Sequence, residues 1–97
     1  MKKRFKNLNE VRKRIDNIDT NLVKLIAERE SYVKETLKFK ISKNQIIDKK
    51  RINIVLSRVK NLSKQYKVNS LITESIWKLM IKYFIILENK LFKKPKK

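Results

Sequence analysis

The chain has 97 residues, of which 41% are hydrophobic and 37% charged, and its formal net charge is +18. That permits one small folded domain with a limited core, which association with a second copy would help to stabilise. The absence of His and Cys excludes disulfides, thiol chemistry and His-based acid–base catalysis, and it leaves zinc, copper or haem almost no ligands, so neither metal nor cofactor is expected.

The chain opens on Met1-Lys2-Lys3-Arg4, a basic start like that of a secretory leader. No uninterrupted apolar stretch follows it, so secretion is rejected and the cytoplasm is the expected compartment. The segment Ile81 to Leu87 is too short to span a membrane. Leu8, Val11, Ile15, Ile18, Leu22 and Leu25 then recur at alternating steps of three and four, and Val33 and Leu37 extend the stripe. This is the period of an amphipathic helix with coiled-coil character. No Gly or Pro interrupts residues 5 to 40, so one helix of about 35 residues and roughly 50 Å is predicted. Such a helix outruns its own domain and calls for a partner subunit.

Residues Ile41 to Ile47 break the pattern and are read as a loop. Asp48 is a candidate N-cap for a second helix, lined on one side by Ile52, Val55, Leu56, Val59 and Leu62. Tyr66 to Val68 form a connector, and Asn69 or Ser70 can cap a third helix. Leu71, Ile72, Ile76, Leu79, Met80, Tyr83, Leu87 and Leu91 give that helix a broad apolar face. No period-two pattern argues for a strand. The expected architecture is all-α: one long helix and two shorter ones in a single domain with a core at about residues 8–91. Residues 92–97, ending in Lys93-Lys94-Pro95-Lys96-Lys97, are expected to be a flexible basic tail.

Four cations carry the functional signal: Arg12, Arg29, Lys40 and Arg51. Eleven residues is close to three helical turns, so on one continuous helix Arg29 and Lys40 share a face roughly 16 Å apart. Long cationic side chains so placed can close on a compact dicarboxylate. Asp16 and Asp19 are read as surface salt-bridge partners, and Tyr32, Phe39 and Trp77 as packing residues. Ser42 has no base to activate it. The Lys residues are spread over the whole length, so most of the excess charge is read as general Lys enrichment.

The segment VRKRIDNIDTNLVKLIAER, residues 11 to 29, with its Arg-x-x-Ile-Asp-x-Ile-Asp core and closing Ala-Glu-Arg, resembles the all-helical (AroQ-class) chorismate mutases and the related isochorismate pyruvate lyases. The resemblance runs from about Leu8 to Lys90. It implies an intertwined homodimer of chorismate mutase II type with two equivalent sites. Each site takes Arg29, Lys40 and Arg51 from one subunit and Arg12 from the other. By similarity, Arg12 and Arg29 bind the two substrate carboxylates, Lys40 donates to the enolpyruvyl ether oxygen, and Arg51 orients the ring. Glu88 faces the same ether oxygen, and Asp48 sits where mutases keep an acid near the ring hydroxyl. Ile52 and Phe84 complete the substrate-binding set but depart from the family. Mutases usually carry Glu at the Ile52 position, and the Phe84 position is often small and polar. Those departures, the Tyr32-Val33-Lys34 and Phe39-Lys40 segments and the short Lys40-to-Arg51 separation resemble the lyase branch.

The activity implied is therefore the rearrangement of chorismate to prephenate. Its close alternative is cleavage of isochorismate to salicylate and pyruvate. Both reactions are pericyclic and need no protein nucleophile, which suits a chain without His or Cys. Holding the substrate in its folded conformer and placing a fixed ammonium at the ether oxygen would supply the catalysis. A rival from another class is a basic helical dimer that binds nucleic acid. The chain has no recognisable recognition helix or aromatic stacking platform, so nucleic acid is not the expected partner.

Overall fold

Asn7 begins the first helix: its Oδ1 accepts from the Glu10 N–H at 3.0 Å, while Glu10 Oε2 reaches back to the Lys6 N–H at 2.8 Å. Helix α1 accordingly covers Leu8–Thr36. The computed structural model, which describes residues 4–93, continues with α2 at Lys49–Gln65 and α3 at Ser70–Leu91. Short 3-10 turns occupy Leu37–Phe39 and Lys43–Gln45. The architecture is the all-α one expected, with no strand among the described residues. The residues from 94 onward, on which most of the predicted tail falls, lie outside the described residues.

Two compact units make up the chain, one ending at Tyr32 and one beginning at Val33. The first is essentially the N-terminal part of α1. None of the α1 residues is buried: Leu8, Ile15, Ile18, Leu22 and Leu25 are all about half exposed or more. The period predicted from the sequence is present, but its apolar stripe stays open to solvent within one chain. Asp16 and Asp19 form no ion pair among the described residues.

The helix ends earlier than predicted. Carrying it on through Lys40 would require the N–H groups of Ile41 and Ser42 to donate to carbonyls four residues back. The Gln45 side chain takes them instead, its Oε1 accepting from Ile41 at 2.6 Å and from Ser42 at 3.3 Å. The Thr36 hydroxyl also donates to the Val33 carbonyl at 2.6 Å, a local bond that competes with helix continuation. Lys40 is left extended at φ −104°, ψ 130°. The three-turn register from Arg29 to Lys40 therefore does not apply, because no continuous α-helix joins them.

The second unit is built on the α2–α3 hairpin. Asp48 caps α2 as expected, its Oδ1 accepting from the Arg51 N–H at 3.0 Å. Of the two candidates for α3, Asn69 is the cap, with Oδ1 accepting from Leu71 N–H at 3.0 Å. The helices pack through Val59 and Ser63, both buried. Ser63 Oγ bonds the Val59 carbonyl at 2.7 Å and lies 2.6 Å from Thr73 Oγ1, so the buried hydroxyl is satisfied at both ends. Trp77 is half-buried, whereas Phe39 and Tyr32 are 82% and 65% exposed in the single chain.

The hairpin turns without glycine. The Val68 N–H donates to the Ser63 carbonyl at 2.9 Å and the Lys67 N–H to the Lys64 carbonyl at 3.3 Å, the paired bonds of a Schellman cap. That cap places Lys67 at φ 55°, in the left-handed region where a Cβ is disfavoured. Lys67→Gly is expected to raise stability by about 0.5–1 kcal/mol, the relief of that strain less the greater freedom of an unfolded glycine. A denaturation midpoint that stays put or falls would show that the lysine side chain compensates.

Candidate active site

Segment 37–48 leads from the end of α1 to the start of α2 and fixes Lys40. The Gln45 clamp described above and the buried Ile46, 4% exposed, hold the segment in place. From there Lys40 Nζ reaches Glu88 Oε2 at 3.2 Å. The two residues are 48 apart in sequence. Their side chains are 19% and 10% exposed, so the pair is largely withdrawn from water and weakly screened. Glu88 is the only buried residue of α3. A lysine held this way is a fixed positive group with two further N–H donors available.

The other predicted residues of the second unit lie at the start of α2 and on α3. Asp48, Arg51 and Ile52 occupy the cap and first turn of α2. Asp48 and Arg51 are exposed and Ile52 is half-buried. Phe84, also half-buried, lies one helical turn before Glu88, so the two share a face of α3. Asp48 has one carboxylate oxygen committed to its capping bond. Ile52 offers no polar atom, so any ring hydroxyl beside it would find no acceptor there. An open groove of about 820 Å³ runs beside Lys40 and Asp48, lined also by Phe39, Asn44 and Ile47. It does not include Arg51, Ile52, Phe84 or Glu88, and so flanks the Lys40–Glu88 pair without containing it.

Arg12 and Arg29 belong to the first unit. Arg12 is exposed on α1 and Arg29 is half-buried seventeen residues further along the same helix. At 1.5 Å per residue their backbones are ~25 Å apart. That is farther than two side chains of one chain can reach around a small dicarboxylate.

Gln45, whose side chain holds the backbone next to Lys40, is the residue that sequence reasoning missed. It lies in the segment read as a plain loop, and its role as a clamp has no periodic signature. The Ser-x-x-Gln spacing of Ser42 and Gln45, a capping-box pattern, was the signal available.

Comparison with known proteins was made against this geometry. The family model for chorismate mutase type II matches residues 11–89, across both units. The chain is 35% identical over 83 residues to the chorismate mutase of Methanocaldococcus jannaschii, covering 81% of this chain and 81% of that protein. It is 34% identical over 84 residues to a bifunctional chorismate mutase/prephenate dehydratase of Buchnera aphidicola subsp. Schizaphis graminum, and 36% identical over 84 residues to that of Buchnera aphidicola subsp. Acyrthosiphon pisum. In each of those two cases 86% of this chain is covered but only 22% of the relative, so the chain spans about a fifth of their length. No described helix is long and apolar enough to cross a membrane.

Proposed function

We propose an activity from a premise that is itself shown, that this chain belongs to the type II chorismate mutase family: it rearranges chorismate to prephenate, as a homodimer, in the cytoplasm. The observation that carries this reading is the Lys40–Glu88 pair, a partly desolvated ammonium held where negative charge can grow. As the ether C–O bond lengthens, its oxygen gains charge, and the ammonium stabilises the transition state more than the ground state. Arg12 and Arg29 bind the two carboxylates as bidentate forks and hold the enolpyruvyl arm folded over the ring. Arg51 and Asp48 orient the ring, Ile52 and Phe84 wall it, and Glu88 positions Lys40 and faces the ether oxygen.

Two observations support the dimer. The apolar stripe of α1 is uncovered within one chain, as expected of a surface that buries itself against a second copy. The ~25 Å between Arg12 and Arg29 along α1 makes a second chain the natural donor of Arg12. The single domain predicted from sequence becomes, on this reading, one that is completed by its partner.

The deciding assay offers chorismate and isochorismate separately to the purified protein. Conversion of chorismate to prephenate is expected. Salicylate and pyruvate from isochorismate, with chorismate left untouched, would replace this reading with the lyase.

Glu88 adds a prediction whose sign follows from its chemistry. A carboxylate only accepts hydrogen bonds and repels the growing charge on the ether oxygen, whereas an amide can donate to it. Glu88→Gln is therefore expected to raise kcat on chorismate by about tenfold, a fraction of what one oxyanion donor contributes. An unchanged kcat would remove Glu88 from the reacting atoms.

A further inference from the structure

Once the helices are bounded, the positive charge proves to be unevenly placed. Helix α1 carries as many Asp and Glu as Lys and Arg, six of each, and α3 is nearly balanced. Helix α2 holds Lys49, Lys50, Arg51, Arg58, Lys60 and Lys64 with no Asp or Glu at all. Among the three helices the excess positive charge therefore lies almost wholly on α2.

Within α2 the cations are also ordered. Lys50, Asn53, Ser57, Lys60 and Lys64 follow one another at steps of three, four, three and four, the spacing that stacks side chains along one face. All five are exposed, and their row runs beside the buried Val59 and Ser63, offset from them by roughly a third of a turn around the helix. None of the three lysines is in an ion pair among the described residues. The stripe is about 21 Å long at 1.5 Å per residue. It shares no residue with the proposed site, of which Arg51 and Ile52 lie on the cationic helix, outside the stripe.

From this we infer that the outer face of α2 is a second, non-catalytic binding surface, and that its partner is the sugar–phosphate backbone of a nucleic-acid duplex. Three lysines interleaved with Asn and Ser supply the donor types that contact phosphates and sugars. The length of the row suits a polyanion with regularly repeated charges and exceeds the span of any single small anion. The exposed Ile54 and Leu62 border the stripe in a shallow surface groove with Lys50, Asn53 and Ser57. Neither is aromatic, and two isolated aliphatic side chains give a membrane or an acidic protein less to hold than the row of cations gives a phosphate backbone. No side chain on the stripe is placed to stack on a base, so binding is to the backbone and independent of sequence.

The test is titration of the full chain against a fluorescein-labelled 20-base-pair DNA duplex between 50 and 200 mM salt, read by anisotropy. Three phosphate contacts give the stripe a contribution of about −2.7 to the slope of log K against log salt. Lys50→Gln/Lys60→Gln/Lys64→Gln should remove that contribution, weaken binding at 50 mM salt by at least tenfold, and leave kcat on chorismate unchanged. A control, Lys13→Gln/Arg14→Gln/Lys24→Gln on α1, removes the same charge and should bind nearly as the parent does. Equal loss in both variants would reduce the effect to overall charge and overturn the assignment. So would no binding at 50 mM salt, or tight binding to phosphatidylserine vesicles that duplex does not compete away.

Discussion

Replacing Lys40 with Ala is expected to lower kcat by about 10²–10³-fold, the loss associated with removing one preorganised donor from a developing oxyanion. The same change leaves Glu88 buried with no counter-charge. Removing one member of a buried pair costs about 3–5 kcal/mol. With side chains 19% and 10% exposed, the lower end of that range applies. Lys40→Ala therefore loses both activity and stability, and the two losses must be separated. Adding Glu88→Gln to Lys40→Ala discharges the orphaned carboxylate. The double variant should regain most of the lost denaturation midpoint, while its kcat stays at least about tenfold below that of Glu88→Gln alone. If its kcat matched that of Glu88→Gln alone, Lys40 would be a structural lysine and the proposed mechanism would lose its central group.

The second large effect concerns Arg12. Arg12→Ala and Lys40→Ala should each be nearly inactive alone. Unfolded together in equal amounts and refolded, half of the resulting dimers contain one chain of each kind. If every site draws Lys40 from one subunit and Arg12 from the other, each mixed dimer holds one site with both residues intact. The mixture should then recover about a quarter of the parent activity by that statistical assortment. If Arg12 served its own chain, every site in the mixture would lack one cation and nothing would be recovered. The ~25 Å between Arg12 and Arg29 along α1 is why recovery is the expected result. Size measurement on the parent protein supplies the matching check, since a monomer would leave the α1 stripe uncovered and Arg12 with no site to complete.

Stability and chemistry meet in the segment between α1 and α2. Its shape depends on Gln45 holding two backbone N–H groups and on Ile46 being buried. Lys40 is positioned by that segment and by Glu88, so its placement depends on the folded second unit and not on the periodicity of α1. The long-helix reading of residues 5 to 40 erred here, because it treated Lys40 as one more position on a rigid face. Gly- and Pro-free sequence permits a helix to continue, but a side-chain amide five residues beyond Lys40 outcompetes the backbone carbonyls for the next two donors.

The sequence alone determined what is local or periodic. The three helices follow from apolar spacing, and the caps at Asp48 and Asn69 follow from short polar side chains placed where a helix leaves its first N–H groups unpaired. The family was also legible, because its cations stand at fixed separations along the chain. Tertiary structure decided the rest. Lys40 and Glu88, 48 residues apart, meet only because the hairpin returns α3 to the segment before α2, and no spacing rule reaches across that distance. The end of α1 at Thr36 depended on a competition between hydrogen-bond acceptors that residue periodicity does not register. The separation of a neutral α1 from a cationic α2 appeared only after the helix boundaries fixed which charges share an element. Local propensity and period are written in neighbouring residues, whereas a desolvated ion pair and a charged face exist only once distant segments have been brought together and their exposed surfaces defined.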